Sequence, residues 1–348
     1  MNILMLVKNF DLGGTEVHVR ELTNQLYNLG HKIHVVSNTG RQVNALNKGI
    51  IHHNLKFSEF KTPFRIYQLS KLIRKYEIDI IHGHQRIPIT YAALLGKLTR
   101  IPSIATVHGR LNHDIRSKFI RNMLNHIIAV APNRLHSLAP DSTILAKSSV
   151  IYNAVKQGKL SSKTNRKPII SYVARMDRKH TNVVKNLINE TLPALSQLSL
   201  NNELHVVGDG PHLQSLIQQY EALPPDNKPN VIFHGYHPNP QDIISRSILN
   251  LGVGRVAIEA LSVNTPVISV NAEYCGGLIN SDNYQDLKEN NFVARTFDSY
   301  SSKLLTNQVI EFMQNKQATD MTIFERVRHE FSYSTMTNQI EKLYQQYG

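Results

Sequence analysis

Four short segments carry residue types suited to binding phosphate and hydroxyl-rich ligands. In Leu251-Gly252-Val253-Gly254-Arg255-Val256-Ala257-Ile258-Glu259 an apolar run gives way to two glycines and then to a helical pattern. Glycines followed by free amides make a cradle for phosphate at a helix N-terminus. With the helix starting near Arg255, Glu259 lies about one turn in, either facing a ligand hydroxyl or lying on a solvated face. Ala174-Arg175-Met176-Asp177-Arg178-Lys179 sets three cations directly after another apolar run. Arginine grips phosphate through two parallel hydrogen bonds and lysine adds a compact charge, although a solvated basic loop would look the same. Leu12-Gly13-Gly14-Thr15-Glu16 repeats the glycine pair ahead of a helical pattern, as a phosphate approach or a tight turn. Gly208-Asp209-Gly210-Pro211 is a further glycine turn, in which Asp209 can cap the next helix.

Histidine is abundant, with 17 in the chain. His82 and His84 close one apolar run, and His108 closes another in Thr106-Val107-His108-Gly109. Neighbouring strand ends would bring these rings together. Imidazole is a common metal ligand, but no cysteine or carboxylate cluster completes a set here, so no metal is expected. His108 fits better as a donor to a ligand hydroxyl or phosphate oxygen, and His82 as a structural residue. Gly252–Ala257 also matches G-x-G-x-x-A, the fingerprint of an NAD(P)-dependent enzyme. That fingerprint belongs at the first strand–helix turn of its domain, and here it comes late.

Such residues need strands that end beside helix starts. Apolar runs alternate with helical spacing along most of the chain. Ile3–Val7 reads as a strand, and Val19, Leu22, Leu26 and Leu29 share a helix face that Gly30 ends. Lys32–Val36, Asp79–His82, Ser103–Val107, His126–Val130 and Ser148–Tyr152 read as further strands, with helices around 66–76 and 115–124. Residues 156–168 are polar and have the composition of a linker. Strands then recur at Ile169–Val173, Glu203–Val207, Asn230–His234, Ile248–Leu251 and Pro266–Val270. Helices are expected at Val183–Leu198, His212–Glu221, from Gln241 and at Arg255–Ser262, with a mostly helical tail from Ser301. Alternation of this kind predicts parallel sheets covered on both faces, in two doubly wound α/β domains spanning 1–160 and 161–330. Ligands of such sheets bind outside the carboxyl ends of the strands, and the cleft between two domains is the natural place.

The bulk composition agrees. The chain has 348 residues, 41% of them apolar and 19% charged, enough for two folded cores. The single cysteine, Cys275, excludes an internal disulfide framework and a cysteine-based zinc site, and fits a reducing, cytoplasmic setting. The apolar run at the start is short for a signal peptide, and none approaches the ~20 residues that cross a bilayer. The net charge of +13 is uneven: residues 1–160 hold 22 Lys and Arg against 8 Asp and Glu. An excess of that kind suggests an anionic partner: nucleic acid, a phosphorylated substrate or an acidic membrane.

Taken together, the motifs resemble glycosyltransferase family 4 (GT4), the retaining enzymes with the two-Rossmann GT-B fold. The resemblance runs over nearly the whole chain. It includes Gly13-Gly14-Thr15-Glu16, Asp79-Ile80-Ile81-His82-Gly83-His84, Thr106-Val107-His108-Gly109 and Val150-Ile151-Tyr152-Asn153-Ala154-Val155. In the second half it includes Arg175–Lys179, Val206–Pro211, Val231–Gly235, Ile258–Leu261 and Thr265–Ile268. It implies two Rossmann-like domains facing a central cleft, with 331–348 a helix packing back towards the first. The first domain would bind the acceptor and the second a nucleotide sugar, a UDP-sugar above all, as substrate rather than cofactor.

His108, Arg175 and Lys179 are then the expected catalytic residues. Gly13, Gly14, Arg178, Gly210, Tyr236, Gly252, Gly254, Arg255 and Glu259 are the expected donor-binding residues. Glu259 stands where the second acid of the family's E-x7-E motif holds ribose, and Tyr236 lines the base pocket. Two departures stand out. Leu251 occupies the place of the first acid, and Arg175 and Lys179 stand closer than the family spacing, so Arg178 is a candidate for the lysine's role. The acceptor implied is a cell-surface polysaccharide, teichoic-acid-like or lipid-linked, met at the inner face of the cell membrane. The basic first domain would engage the anionic membrane surface, and nucleic acid is no longer the expected partner. The NAD(P) enzyme and a non-catalytic relative that binds anionic surfaces remain the alternatives.

Overall fold

A computed structural model of the chain describes residues 1–11, 13–58, 62–109, 114–136, 141–158, 160, 167–315 and 320–348. Leu12 of the first glycine loop, and 159 and 161–166 of the expected linker, lie outside the described residues. The chain forms two compact units. Met1–Ala154 and Phe331–Gly348 make the first, and Val155–Glu330 the second. The division thus falls ahead of the polar stretch at 156–168, rather than at 160.

The first unit is built on seven parallel strands: β1 (Asn2–Asn9), β2 (Lys32–Asn38), β3 (Ile51–Asn54), β4 (Ile80–His84), β5 (Ser103–Val107), β6 (His126–Ala129) and β7 (Ser148–Val150). Their order is β3-β2-β1-β4-β5-β6-β7. Side chains alternate across a strand, and β1 shows what that does here. Ile3, Met5 and Val7 face one core, with Val19, Leu22 and Leu26 of the helix Gly14–Asn28 and Ile340 and Tyr344 of the helix Tyr333–Tyr347. Leu4 and Leu6 face the other, with Leu69 and Ile73 of the helix Thr62–Lys75 and Tyr91 and Leu95 of the helix Arg86–Thr99. Both faces are covered, so the strand reads as an unbroken apolar run.

The second unit repeats the plan with β8 (Lys167–Val173), β9 (Glu203–Val207), β10 (Val231–Gly235), β11 (Ser247–Gly252), β12 (Val267–Val270), β13 (Tyr274–Leu278) and β14 (Asp298–Ser299), ordered β10-β9-β8-β11-β12-β13-β14. The second sheet is parallel except at one edge, where β13 pairs antiparallel with β12 and with β14. Asn271 makes that reversal possible: its side chain accepts from the amides of Glu273 and Tyr274, both at 2.8 Å.

In each sheet the strand order reverses beside the first strand, between β1 and β4 and between β8 and β11. Such switch points open a crevice at the carboxyl ends of the strands. Among the described residues, no helix is long and apolar enough to cross a membrane.

Candidate functional site

At the switch point of the first unit, Gly13 and Gly14 open the helix Gly14–Asn28, and the Gly13 carbonyl accepts from the Val17 amide at 3.0 Å. Gln85, just past β4, holds the crevice together. Its Oε1 accepts from the Lys8 amide at 2.9 Å and its Nε2 donates to Glu16 Oε1 at 2.5 Å. Gln85 sits at φ 68°, a conformation that suits glycine and collects at functional sites. Gln85 carries no motif in the sequence, and Glu16 enters it only as the last residue of the glycine-pair segment. Their signal is positional: a polar pair where β1 and β4 both end.

His108 follows β5, and His84 ends β4 beside it, with His84 Nδ1 3.3 Å from His108 Nε2. His18, on the second turn of the first helix, packs its ring 4.7 Å from that of His108 and 5.6 Å from that of His84. Burial pushes His108 down to about 4 and His84 well below its ordinary range, so both rings are neutral near pH 7. His82 is bonded on both nitrogens, to Tyr344 Oη at 2.5 Å and Thr106 Oγ1 at 2.8 Å. His108, Gln85, Arg86 and Thr15 border a pocket of about 530 Å³ whose floor includes Val107, Ile120 and Ile127.

At the switch point of the second unit, the loops after β8 and β9 are laced together. The Met176 amide donates to the Asp209 carbonyl at 3.1 Å, and the His212 amide to the Met176 carbonyl at 3.1 Å. A Cβ at Gly210 would stand 2.5 Å from the Met176 carbonyl oxygen, so this glycine is required by backbone approach before any ligand is considered. Asp177 caps the helix Arg178–Asn186, accepting from the amides of Lys179 and His180 at 2.9 and 3.0 Å. Those bonds, the one from His180 first, hold its carboxyl below the usual range. Arg175 lies between the end of β8 and this cap. Lys179 Nζ donates to Glu273 Oε1 at 2.5 Å, which raises the pKa of the lysine. Arg178 opens the helix and borders a smaller polar pocket of about 280 Å³ with Lys185 and His212.

Next to β8, β11 ends at Gly252, and Gly254 at φ 61° starts the helix Arg255–Ser262. Arg255 Nε donates to Glu259 Oε1 at 2.7 Å. Glu259 is largely buried, and burial pushes its carboxyl up while Arg255 pulls it down. Leu251 is fully buried in the core, in register with Tyr172 of β8 and Ile268 of β12. The family's first acid would here be a carboxylate in a hydrocarbon interior, which is why leucine fits. Tyr236, past β10, is 59% exposed. The structure therefore groups Arg175, Arg178 and Lys179 at one strand end and Gly252, Gly254, Arg255 and Glu259 at the next.

Residues 12–157 match the model of a family described as Glycosyltransferase Family 4, and residues 167–314 match that of Glycosyl transferases group 1. The gpi3 subunit of phosphatidylinositol N-acetylglucosaminyltransferase from Schizosaccharomyces pombe is 22% identical over 95% of this chain and 77% of its own. N-acetyl-alpha-D-glucosaminyl L-malate synthase from Bacillus anthracis is 24% identical over 74% of this chain and 75% of its own. Among solved structures, Anabaena HepE in complex with UDP superposes with a TM-score of 0.74 at 16% identity, over 99% of both chains, and so has the same fold.

Proposed function

The chain belongs to the group 1 glycosyltransferases of family 4, and on that premise we propose that it moves a sugar from a UDP-sugar to a cell-surface acceptor with retention at the anomeric carbon. The acceptor is a polysaccharide, a teichoic-acid-like polymer or a lipid-linked glycan. Membership leaves no place for the dinucleotide reading, whose fingerprint follows the fourth strand of the second unit instead of the first.

One observation carries this reading. Arg175, Arg178 and Lys179 at the end of β8 neighbour the Gly252–Gly254 turn and its helix N-terminus at the end of β11. β8 and β11 are paired neighbours, so cations and free amides of the kinds that suit a diphosphate stand at adjacent strand ends. In the reaction the bond between the anomeric carbon and the diphosphate oxygen breaks. The acceptor oxygen bonds to that carbon from the same face, and the departing diphosphate oxygen takes the acceptor's proton. Neutralising the charge that grows on the diphosphate is the main catalytic contribution. Glu259 holds the ribose hydroxyls, Tyr236 lies against the base, Gly13 and Gly14 offer amides to the diphosphate or the sugar, and neutral His108 donates to the transferred sugar. Arginine, lysine and a helix terminus carry the counter-charge, and no cofactor is assigned a step.

The basic surface of the first unit serves attachment to an anionic bilayer. Phe64, Tyr67, Leu98 and Phe119 are more than half exposed there. Lys71 lies 4.5 Å over the Tyr67 ring and Arg65 5.9 Å over that of Phe64, so cations and aromatic groups are interleaved. Aromatic and basic residues together suit the interface of an anionic membrane.

Incubation with UDP-, GDP- and ADP-sugars, reading released diphosphate and the anomer of the product by NMR, tests the proposal. Turnover of a UDP-sugar with retained configuration is expected. Inversion, or no binding and no turnover across the panel, overturns it.

A further inference from the structure

We propose that His18, His84 and His108 of the first unit form a binding site for a late first-row transition-metal ion, with Zn²⁺ the preferred occupant. Each ring offers one nitrogen, and the three nitrogens lie within 4.8 Å of one another. Tetrahedral coordination at roughly 2.0–2.1 Å per Zn–N bond sets ligand nitrogens about 3.3–3.4 Å apart. His84 Nδ1 and His108 Nε2 already stand at 3.3 Å.

Chemistry and burial agree with the geometry. All three rings come from rigid elements: a helix, the end of β4 and the residue after β5. Burial keeps His84 and His108 neutral, which is the form that ligates. An all-imidazole set without carboxylates selects zinc, cobalt, nickel or copper over magnesium and calcium. Three histidines would also leave a fourth coordination position open, and His108 among them borders the same pocket as Gln85. An ion held there occupies the ring nitrogen that the proposed transfer asks of His108. The site is therefore a second use of the same crevice, and its existence does not depend on the transfer reaction.

The test is a titration of the full-length, chelator-treated protein with Zn²⁺ and, separately, with Co²⁺, whose visible spectrum reports nitrogen ligation in low-symmetry sites. One saturable equivalent is expected, with His-type Co²⁺ bands. Loss of an outer-shell partner alone weakens such sites about 10–100-fold, so His84→Ala and His18→Gln should each weaken binding by at least about 100-fold. His18→Gln keeps a polar side chain of similar length and guards against a misfolded His84→Ala, with circular dichroism reporting the fold of both. His53→Ala, in the separate His34–His53 cluster, should leave binding unchanged. Binding that is absent, is not saturable, or survives both substitutions at parental affinity overturns the proposal.

Discussion

Arg255 and Glu259 are joined one turn apart on the helix that Gly254 starts, with Nε donating to Oε1 at 2.7 Å. The acid expected to hold ribose is thus paired with an arginine of its own helix. Burial raises its pKa even against that arginine. The native state therefore binds this proton more tightly than the unfolded chain does. The stabilisation is complete below the ordinary carboxyl value and is lost as pH rises through the elevated one. Glu259→Gln should lower kcat/KM by at least about tenfold, equivalent to ~1.4 kcal/mol. Melting curves should show the parent losing stability relative to Glu259→Gln as pH rises above the ordinary carboxyl range. A parallel pH profile for the two proteins would contradict this.

Lys179 is committed to Glu273 in an exposed pair, and pairs of that kind contribute little to stability. Glu273→Gln should leave Tm unchanged while releasing the lysine, so UDP should bind more tightly, by about two- to fivefold, in isothermal titration. Arg175→Ala, in contrast, removes an expected diphosphate contact and should cut turnover by about 100-fold or more. Equal turnover in parent and Arg175→Ala would remove the diphosphate role.

The first unit should be acid-labile. Burial depresses His82 to about 3 and His53, His108 and His126 to about 4, with neighbouring imidazoles adding to the effect at His53 and His82, and Lys75 and Lys147 adding to it at His53 and His126. Unfolding lets each ring take up a proton near pH 6.5, so stability is lost as pH falls from there towards 4. For a fully buried ring the slope approaches ~1.4 kcal/mol per pH unit. Relative to the intrinsic exchange rate at each pH, amide protection across β4, β5 and β6 should fall between pH 6 and pH 5 while that of β8 and β11 changes less. A uniform loss of protection in both sheets would count against this assignment.

Attachment to membranes should be electrostatic with an apolar component. Full-length protein should co-sediment with anionic vesicles, weaken as salt rises and ignore neutral vesicles, at about 1 kcal/mol per engaged Lys or Arg. Phe64→Ser together with Tyr67→Ser should weaken vesicle binding about tenfold without lowering Tm, since both rings are exposed. Equal binding to neutral and anionic vesicles would assign the charge to solubility alone.

Strands buried on both faces were the most legible elements, because continuous apolar runs such as Ile3–Val7 have few other uses. β3 escaped because its centre is His52-His53, and β13 because Gly276 and Gly277 replace the apolar residues that mark a strand. The helix Arg86–Thr99 was also missed, since Pro88 falls in its first turn and reads as a break, although proline is tolerated there. At the site, spacing located the glycine turns and the cations. It could not disclose that Gly210 serves backbone approach, that Leu251 is a core residue, or that Lys179 meets Glu273. Those facts depend on which strands are neighbours. His18 illustrates the same limit: nothing local marks it, and only the β1–β4–β5 order brings it to His84 and His108.

The helix Tyr333–Tyr347 supplies Ile340, Leu343 and Tyr344 to the core of a unit whose other residues end at Ala154. Tyr344 also satisfies the buried imidazole of His82. On the ribosome, the order of completion is therefore inverted. The second unit is one uninterrupted segment and can close as soon as it emerges. The first must wait, with one face of its sheet partly bare, while Val155–Glu330 is made, on the order of ten to thirty seconds at ~5–20 residues per second. A stop codon ahead of residue 331 would spare the unit made later and strand the one made first.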